Sequence, residues 1–161
     1  MFDRILVPLD GSEQAAAALP VAADLARHYQ ATLVLVQVVT PDDAWREELF
    51  REVTGGAEVL DLEERAVEAA RRHLERVVAD LRPLPAELEV RLGRPAEAIV
   101  QAAQETRCGL ICMAAHGHGR GALRHHPGLP APHPVHWMLG GVTDRVAHTS
   151  PVPVLIVRPR P

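Results

Sequence analysis

Short apolar runs alternate along the chain with longer amphipathic segments. The apolar runs cover residues 4–9, 31–39, 88–92, 110–113 and 153–158. Most of them are apolar on both faces, which is typical of strands in a parallel sheet that helices cover on each side. Helical spacing is found over residues 12–29, 67–81, 95–106 and 141–148. Five strands that alternate with four helices predict one doubly wound α/β domain, a five-stranded parallel sheet flanked by four helices.

The third apolar run differs from the others. Leu88, Val90 and Leu92 alternate with the charged residues Glu87, Glu89 and Arg91. This alternation predicts a strand with one solvated face, which we expect at an edge of the sheet.

Composition limits the classes of function. The 161 residues are 47% apolar, which fits a single domain with a sizeable core. A net charge of −4 argues against a nucleic-acid binder or a protein of anionic membrane surfaces. All 17 basic residues are arginine, so chemistry that needs a lysine, such as a Walker-type phosphate contact or a Schiff base, is excluded. No apolar run approaches the roughly 20 residues that span a bilayer, and residues 1–4 lead directly into a strand without a signal peptide. We therefore expect a cytoplasmic protein.

A glycine-rich connection follows the fourth strand. Glycine alternates with histidine and arginine over residues 116–121, and Gly140 and Gly141 precede the last helix. Backbone N–H groups of such a loop and of a helix start form a concave donor surface suited to a phosphate. An ordinary flexible connection fits the same spacing. In doubly wound sheets, ligands lie at the carboxyl ends of the strands, at the switch point in strand order. This rule brings Asp10, Val38 and the loop after Met113 to one edge.

Three motifs resemble the universal stress protein family. They are the opening strand and turn, ILVPLDGS at residues 5–12, then GGVTDRV at 140–146 and PVPVLIV at 151–157. The resemblance covers the whole chain, residues 1–161, in element order. It implies a fold like that of the adenine nucleotide alpha hydrolases and a cytoplasmic stress-response protein. It also implies a homodimer paired through the last strand, an apolar edge formed by Val154, Leu155, Ile156 and Val157.

One branch of that family binds ATP through the motif G-x2-G-x9-G-[ST], and another branch does not bind nucleotide. Gly117 and Gly140 match the second and third glycines of this motif. Ala114 replaces the first glycine, and Gly141 replaces the hydroxyl-bearing residue. Between Gly117 and Gly140 lie 22 residues instead of nine, an insertion of 13.

The resemblance implies a nucleotide site at the strand ends and the glycine loop. Asp10 would face the adenosine end of the ligand or help to hold a divalent cation; alternatively, it is a turn carboxylate that accepts backbone N–H groups. Val38 would contact adenine through its backbone, or it is simply a core residue. The predicted nucleotide-binding residues are Pro8, Asp10, Val38, Met113, Ala114, Gly117, Gly140, Gly141 and Val142.

The insertion forms a loop rich in histidine and proline around residues 118–137. A histidine-rich tract can bind Zn²⁺ or Ni²⁺, and His133 and His136 are the candidate ligands. The tract contains no cysteine and no fuller metal-binding framework. We therefore favour a flexible proline-rich loop over a metal site.

These observations predict a stress-response module that binds ATP, with or without Mg²⁺, or a related adenine nucleotide in a regulatory role. The sequence contains no evident nucleophile–base pair, so we expect at most a slow ATPase. The alternative is a homodimeric interaction protein of the same family that has lost nucleotide binding.

Overall fold

The computed structural model describes residues 2–40, 56–117 and 139–158, with side chains described from residue 63 in the second range. The strands are β1 (Arg4–Leu9), β2 (Thr32–Val39), β3 (Ala86–Leu92), β4 (Leu110–Ala114) and β5 (Val154–Val157). The helices are α1 (Glu13–Ala16), α2 (Leu19–Tyr29), α3 (Gly56–Asp80), α4 (Pro95–Glu105) and α5 (Gly141–Thr149). The strands form one parallel sheet in the order β3–β2–β1–β4–β5, which confirms the predicted doubly wound fold.

Strand β1 lies in the middle of this sheet and is buried on both faces. Leu6 pairs with Val34 of β2 on one side and with Ile111 of β4 on the other. Alternate residues of β1 point to opposite faces, so they contribute to two separate core clusters. Helices α2 and α3 cover one face, whereas α4 and α5 cover the other. The two clusters together explain why β1, β2 and β4 are almost wholly apolar.

The first predicted helix is two helices in the structure. Ser12 caps α1 as expected, because its Oγ accepts the Ala15 N–H at 3.0 Å. Pro20 lies in the first turn of α2. Proline has no N–H to donate and its ring clashes with the preceding turn, so one continuous helix cannot run through this position. Helix α1 therefore ends at Ala16, and α2 begins at Leu19.

Helix α3 is longer than predicted, since it begins at Gly56 rather than near Val67. Its predicted apolar stripe is confirmed: Ala70 and Leu74 are buried against the sheet. On the outer face, Arg72 Nε donates to Glu68 Oε1 at 3.0 Å, the predicted i,i+4 pair.

Strand β3 is at the predicted edge, but its charged side is not simply solvated. The side chain of Arg91 is only 14% exposed and donates to Glu89 Oε1 at 2.7 Å. The same guanidinium also pairs with Glu105 at the end of α4. Leu92, by contrast, is 53% exposed, so the inward-facing apolar positions end at Val90. Ion pairs therefore link α4 to β3 on the face of the strand that the alternation predicts to be solvated.

The described residues stop on either side of the inserted loop. The candidate metal ligands His133 and His136 lie outside the described residues, as does the loop around 118–137. Among the helices that the structure describes, none is both long enough and apolar enough to cross a bilayer.

Replacing Leu74 with alanine tests the α3 packing. Leu74 is fully buried in the core, so Leu74→Ala should lower the free energy of unfolding by about 2–5 kcal/mol. Glu68→Ala on the exposed face of the same helix is the control and should change it by less than about 1 kcal/mol. Urea unfolding followed by circular dichroism measures both values. Equal losses from the two variants would contradict this packing.

Candidate functional site

The strand order reverses between β1 and β4, and the connections after these strands leave on opposite faces of the sheet. Leu6 is paired with Ile111, so the register continued to the strand ends places Leu9 beside Ala114. Leu9 is paired with Gln37 on the other side, so Asp10 and Val38 follow at the same level. The fold therefore brings the ends of β1, β2 and β4 to one edge, as the sequence predicts.

Asp10 forms a tight turn at the end of β1. Its Oδ1 accepts the Ser12 N–H at 2.9 Å and the Ser12 hydroxyl at 2.6 Å. Gly11 between them has a φ of +83°, a conformation that glycine adopts without strain. The turn role of Asp10 is thus present in the structure, and its contact with a ligand or a cation stays a prediction. Ser12 itself is buried, so the turn is rigidly connected to the start of α1.

Gly117 lies directly against the carboxylate of Asp10. A Cβ atom at residue 117 would overlap Asp10 Oδ2 and lie 3.2 Å from Asp10 Cγ. Glycine is therefore the residue that allows the loop after β4 to approach the turn after β1. Two of the predicted site residues, far apart in the sequence, are in contact.

The start of α5 is fastened to the end of β4 by two hydrogen bonds. The Gly140 N–H donates to the Ala115 carbonyl at 2.9 Å, and a Cβ at residue 140 would lie 3.3 Å from that oxygen. The buried hydroxyl of Thr143 donates to the Ala114 carbonyl at 3.0 Å. Thr143 therefore has a structural role, since it fastens the first turn of α5 to β4.

Among the described residues, no side chain caps the first turn of α5, which presents its backbone N–H groups. The N-cap residue is Gly140, which as a glycine has no side chain that could accept an N–H group of the helix. The N–H groups of the first turn have no carbonyl partner within the helix, and the helix dipole makes this end positive. Gly141 is exposed, and a Cβ there would lie within 4 Å of none of the described atoms. The arrangement suits an anion such as a phosphate.

The replacement of the first motif glycine by Ala114 has little steric consequence. Ala114 is the last residue of β4, and its side chain is buried in the core cluster that α2 covers. Within the described ranges, the non-glycine residues with positive φ are Gln30 and Arg107, so the backbone at Ala114 suits alanine. The methyl group therefore packs into the core instead of the space above the strand ends.

Three of the remaining predicted residues have core side chains at the same edge, and the fourth is exposed. Pro8 and Met113 are buried, and Val38 packs partly buried against the cluster that contains Met113. The core interpretation of the Val38 side chain therefore applies, and the contact of its backbone with adenine stays a prediction. Val142 is exposed in the first turn of α5.

One polar contact near this edge has no counterpart among the predicted residues. His73 Nδ1 of α3 lies 2.8 Å from Gln37 Oε1, one residue before Val38. The two residues are 36 positions apart, and a glutamine in an apolar strand is the only sequence signal that points to them.

A metal ion at this edge would need ligands that the described side chains do not supply. Within the described ranges, no group of three or more histidine, cysteine, aspartate or glutamate residues is arranged to hold one. Magnesium commonly binds through one or two carboxylates and completes its shell with phosphate and water. Asp10 therefore fits a Mg²⁺ that arrives with a polyphosphate.

Solved structures share this architecture. Hypothetical protein MJ0577 superposes with a TM-score of 0.76 at 24% identity, over 100% of this chain and 99% of that one. A universal stress protein in complex with cAMP has a TM-score of 0.62 at 22% identity, over 98% and 97% of the two chains. An Arabidopsis thaliana universal stress family protein with AMP bound has a TM-score of 0.60 at 12% identity, over 98% and 92%. At these identities the likeness shows the fold.

The family is shown by sequence. The model of the universal stress protein family matches residues 1–158. A universal stress protein of Thermus aquaticus is 33% identical over 98% of this chain and 100% of its own length. Universal stress protein YxiE of Bacillus subtilis is 30% identical over the same shares of the two chains. This chain belongs to the universal stress protein family.

Proposed function

We propose that this protein binds an adenine nucleotide, ATP in particular, at the carboxyl ends of β1 and β4 in a regulatory role. One observation carries the proposal: the uncapped first turn of α5 opens at Gly141 next to the contact between Gly117 and Asp10. The phosphates would bind the N–H groups of Gly141 and Val142, since the Gly140 N–H already donates to the Ala115 carbonyl. Asp10 would hold Mg²⁺ that the phosphates bring with them, and the ion would screen the phosphate charge from this carboxylate.

Relatives of the same fold support an adenine nucleotide as the ligand. One of them is a complex with cAMP and another has AMP bound. The two ligands share the adenosine group, so adenosine recognition at the ends of β1 and β2 is the common element of the proposal. The number of phosphate groups that this chain prefers in its nucleotide depends on its own residues at the start of α5.

The two departures from the ATP motif have unequal consequences. The methyl group of Ala114 is buried in the core, so it leaves the phosphate position clear. Gly141 lacks the hydroxyl that would donate to a phosphate, and this loss costs about 1.5–3 kcal/mol, roughly ten- to a hundredfold in affinity. We therefore expect binding that is weak but measurable, in the range below about 1 mM.

A regulatory role agrees with the chemistry near the site. Oδ1 of Asp10 is engaged by Ser12, and the hydroxyl of Thr143 is buried and donates to a backbone carbonyl. In the part of the chain that the structure describes, neither hydroxyl has a histidine base hydrogen-bonded to it. Hydrolysis of ATP would therefore be slow, and the protein would signal through occupancy of the site.

We also propose that the protein is a homodimer that pairs through β5. Within the sheet, β5 is an edge strand, Leu155 is 36% exposed, and its four residues carry no charge. An uncharged apolar edge tends to pair with another chain. The opposite edge, β3, carries charged residues that discourage such pairing. The dimer would also serve the second candidate function, an interaction protein without nucleotide.

Restoring the motif hydroxyl tests the phosphate position. Gly141→Ser has open space for its side chain, so it should tighten Mg-ATP binding roughly ten- to a hundredfold. Gly141→Ala adds the same Cβ without the hydroxyl and should stay within about twofold of the wild type. Isothermal titration calorimetry measures all three affinities. Equal effects of serine and alanine, or wild-type affinity weaker than millimolar with no co-purified nucleotide, would contradict the proposal.

The role of Asp10 is tested by its dependence on Mg²⁺. Asp10→Asn keeps an oxygen that can accept the Ser12 N–H but removes the charge, so the gain in ATP affinity on adding Mg²⁺ should fall about tenfold. Binding of AMP without metal should change little. Asp24→Asn, an exposed carboxylate paired with Arg27 on α2, is the control. An unchanged Mg²⁺ effect in Asp10→Asn would show that Asp10 serves the turn alone.

The dimer is tested at the two sheet edges. Leu155→Lys places a charge on the exposed apolar position of β5 and should convert the dimer to a monomer at micromolar concentration. Leu92→Lys, at an exposed leucine on the opposite edge strand, should leave the dimer intact. Light scattering with size-exclusion chromatography gives both masses. A monomeric wild type, or loss of the dimer in Leu92→Lys, would overturn the proposed interface.

A further inference from the structure

Two arginines beside the candidate site share one carboxylate. Arg94 Nη1 lies 3.6 Å from Glu97 Oε1, and Arg145 Nη1 lies 4.0 Å from the same oxygen. Two positive charges face one negative charge, so this cluster of Arg94, Glu97 and Arg145 has a net charge of about +1. In a chain without lysine, arginine is the residue that can supply such a charge to an anion.

The cluster lies at the same edge of the sheet as the proposed phosphate position. Arg94 is the N-cap residue of α4 and Glu97 belongs to its first turn, while Arg145 belongs to the second turn of α5. Helices that connect parallel strands run back against the strand direction, so α4 and α5 both begin at the carboxyl ends of the strands. They pack against each other on one face of the sheet. The cluster therefore flanks the space between the two helix starts.

Arg145 has the spacing to reach the phosphate position. It follows Gly141 by four residues, so the two lie on the same face of α5, one turn apart. In the structure the guanidinium of Arg145 lies near Glu97, and the lean of helical side chains toward the N-terminus lets another rotamer reach toward Gly141. Gly141 has no side chain to block it, and no atom of the described residues lies within 4 Å of a Cβ built there.

The present partners hold the two guanidinium groups only weakly. Both contacts to Glu97 are long, and the Arg145 side chain is 63% exposed. Exposed ion pairs of this kind contribute little free energy, so either arginine can exchange Glu97 for a phosphate at small cost. The nearest acid on α5, Asp144, has its carboxylate 3.7 Å from His148 Nδ1 and so is directed toward the later turn of the helix.

We propose that Arg145, assisted by Arg94, makes the site prefer nucleoside di- and triphosphates over monophosphates. This inference rests on the proposed function. The first phosphate binds the N–H groups of α5, and the phosphates beyond it lie against the two guanidinium groups. Glu97 competes with the phosphates for both arginines. Side chains outside the glycine motif thereby supply the selectivity for the number of phosphate groups. The motif itself lacks the hydroxyl at position 141.

The test compares AMP, ADP and ATP on the same protein by calorimetry in EDTA, so that Mg²⁺ at Asp10 does not contribute. Wild-type protein should bind ATP and ADP more tightly than AMP. Arg145→Gln should weaken ATP binding roughly five- to tenfold and change AMP binding less than about twofold. Glu97→Gln should tighten ATP binding a few-fold, because it frees both arginines. Arg72→Gln, an exposed arginine paired with Glu68 on α3, is the matched control and should change nothing.

The outcomes separate this inference from the proposed function. Equal wild-type affinities for AMP and ATP, or equal losses for both in Arg145→Gln, would overturn the preference and leave adenine-nucleotide binding in place. Absence of binding by all three nucleotides, both in EDTA and with Mg²⁺ added, would overturn the proposed function and this inference with it. Weaker ATP binding at higher salt in the wild type, with a smaller salt effect in Arg145→Gln, would support the direct charge contact.

Discussion

The burial of β1 between β2 and β4 is the constraint on which the rest of the structure depends. Because β1 pairs with both neighbours in parallel, the chain must build the sheet outward in two directions from it. The connection after β1 then crosses one face, and the connection after β4 crosses the other. The two connections diverge at the carboxyl ends of these strands, and Asp10 and Gly117 are in contact there. The apolar core and the candidate site thus have the same origin.

The site is built mainly from backbone. Hydrogen bonds from Gly140 and Thr143 fasten the start of α5 to the carbonyl groups of Ala115 and Ala114. They fix the start of α5 at the end of β4 whatever side chain stands at position 141. A backbone site tolerates substitution better than a side-chain site, and the buried Ala114 methyl group illustrates this tolerance. In our proposal, side chains at the margin, such as Arg145, set which anion is preferred.

The sequence predicts the elements well because hydrophobic periodicity follows from burial, and burial dominates this sheet. It misplaces two features, one for a local reason and one because of a partner distant in the chain. The helix over residues 12–29 divides because of the local chemistry of Pro20, whereas the burial of Arg91 depends on Glu105 from a later helix. The turn at Asp10 is also a local feature, and it is one of the two roles that the sequence suggests for this residue. Its contact with Gly117, more than 100 residues away, is set by the register of β1 against β4.

The central claim is that the amides at the start of α5 bind the phosphates of an adenine nucleotide beside Asp10. The most direct measurement is a titration of the ¹⁵N-labelled protein with Mg-ATP, followed by amide resonances in solution. We expect saturable shifts that are largest at Gly140, Gly141, Val142 and Gly11, with small changes at the far ends of the strands near Arg4. Saturating ATP that leaves these four amides unmoved, or that shifts only residues elsewhere, would contradict it.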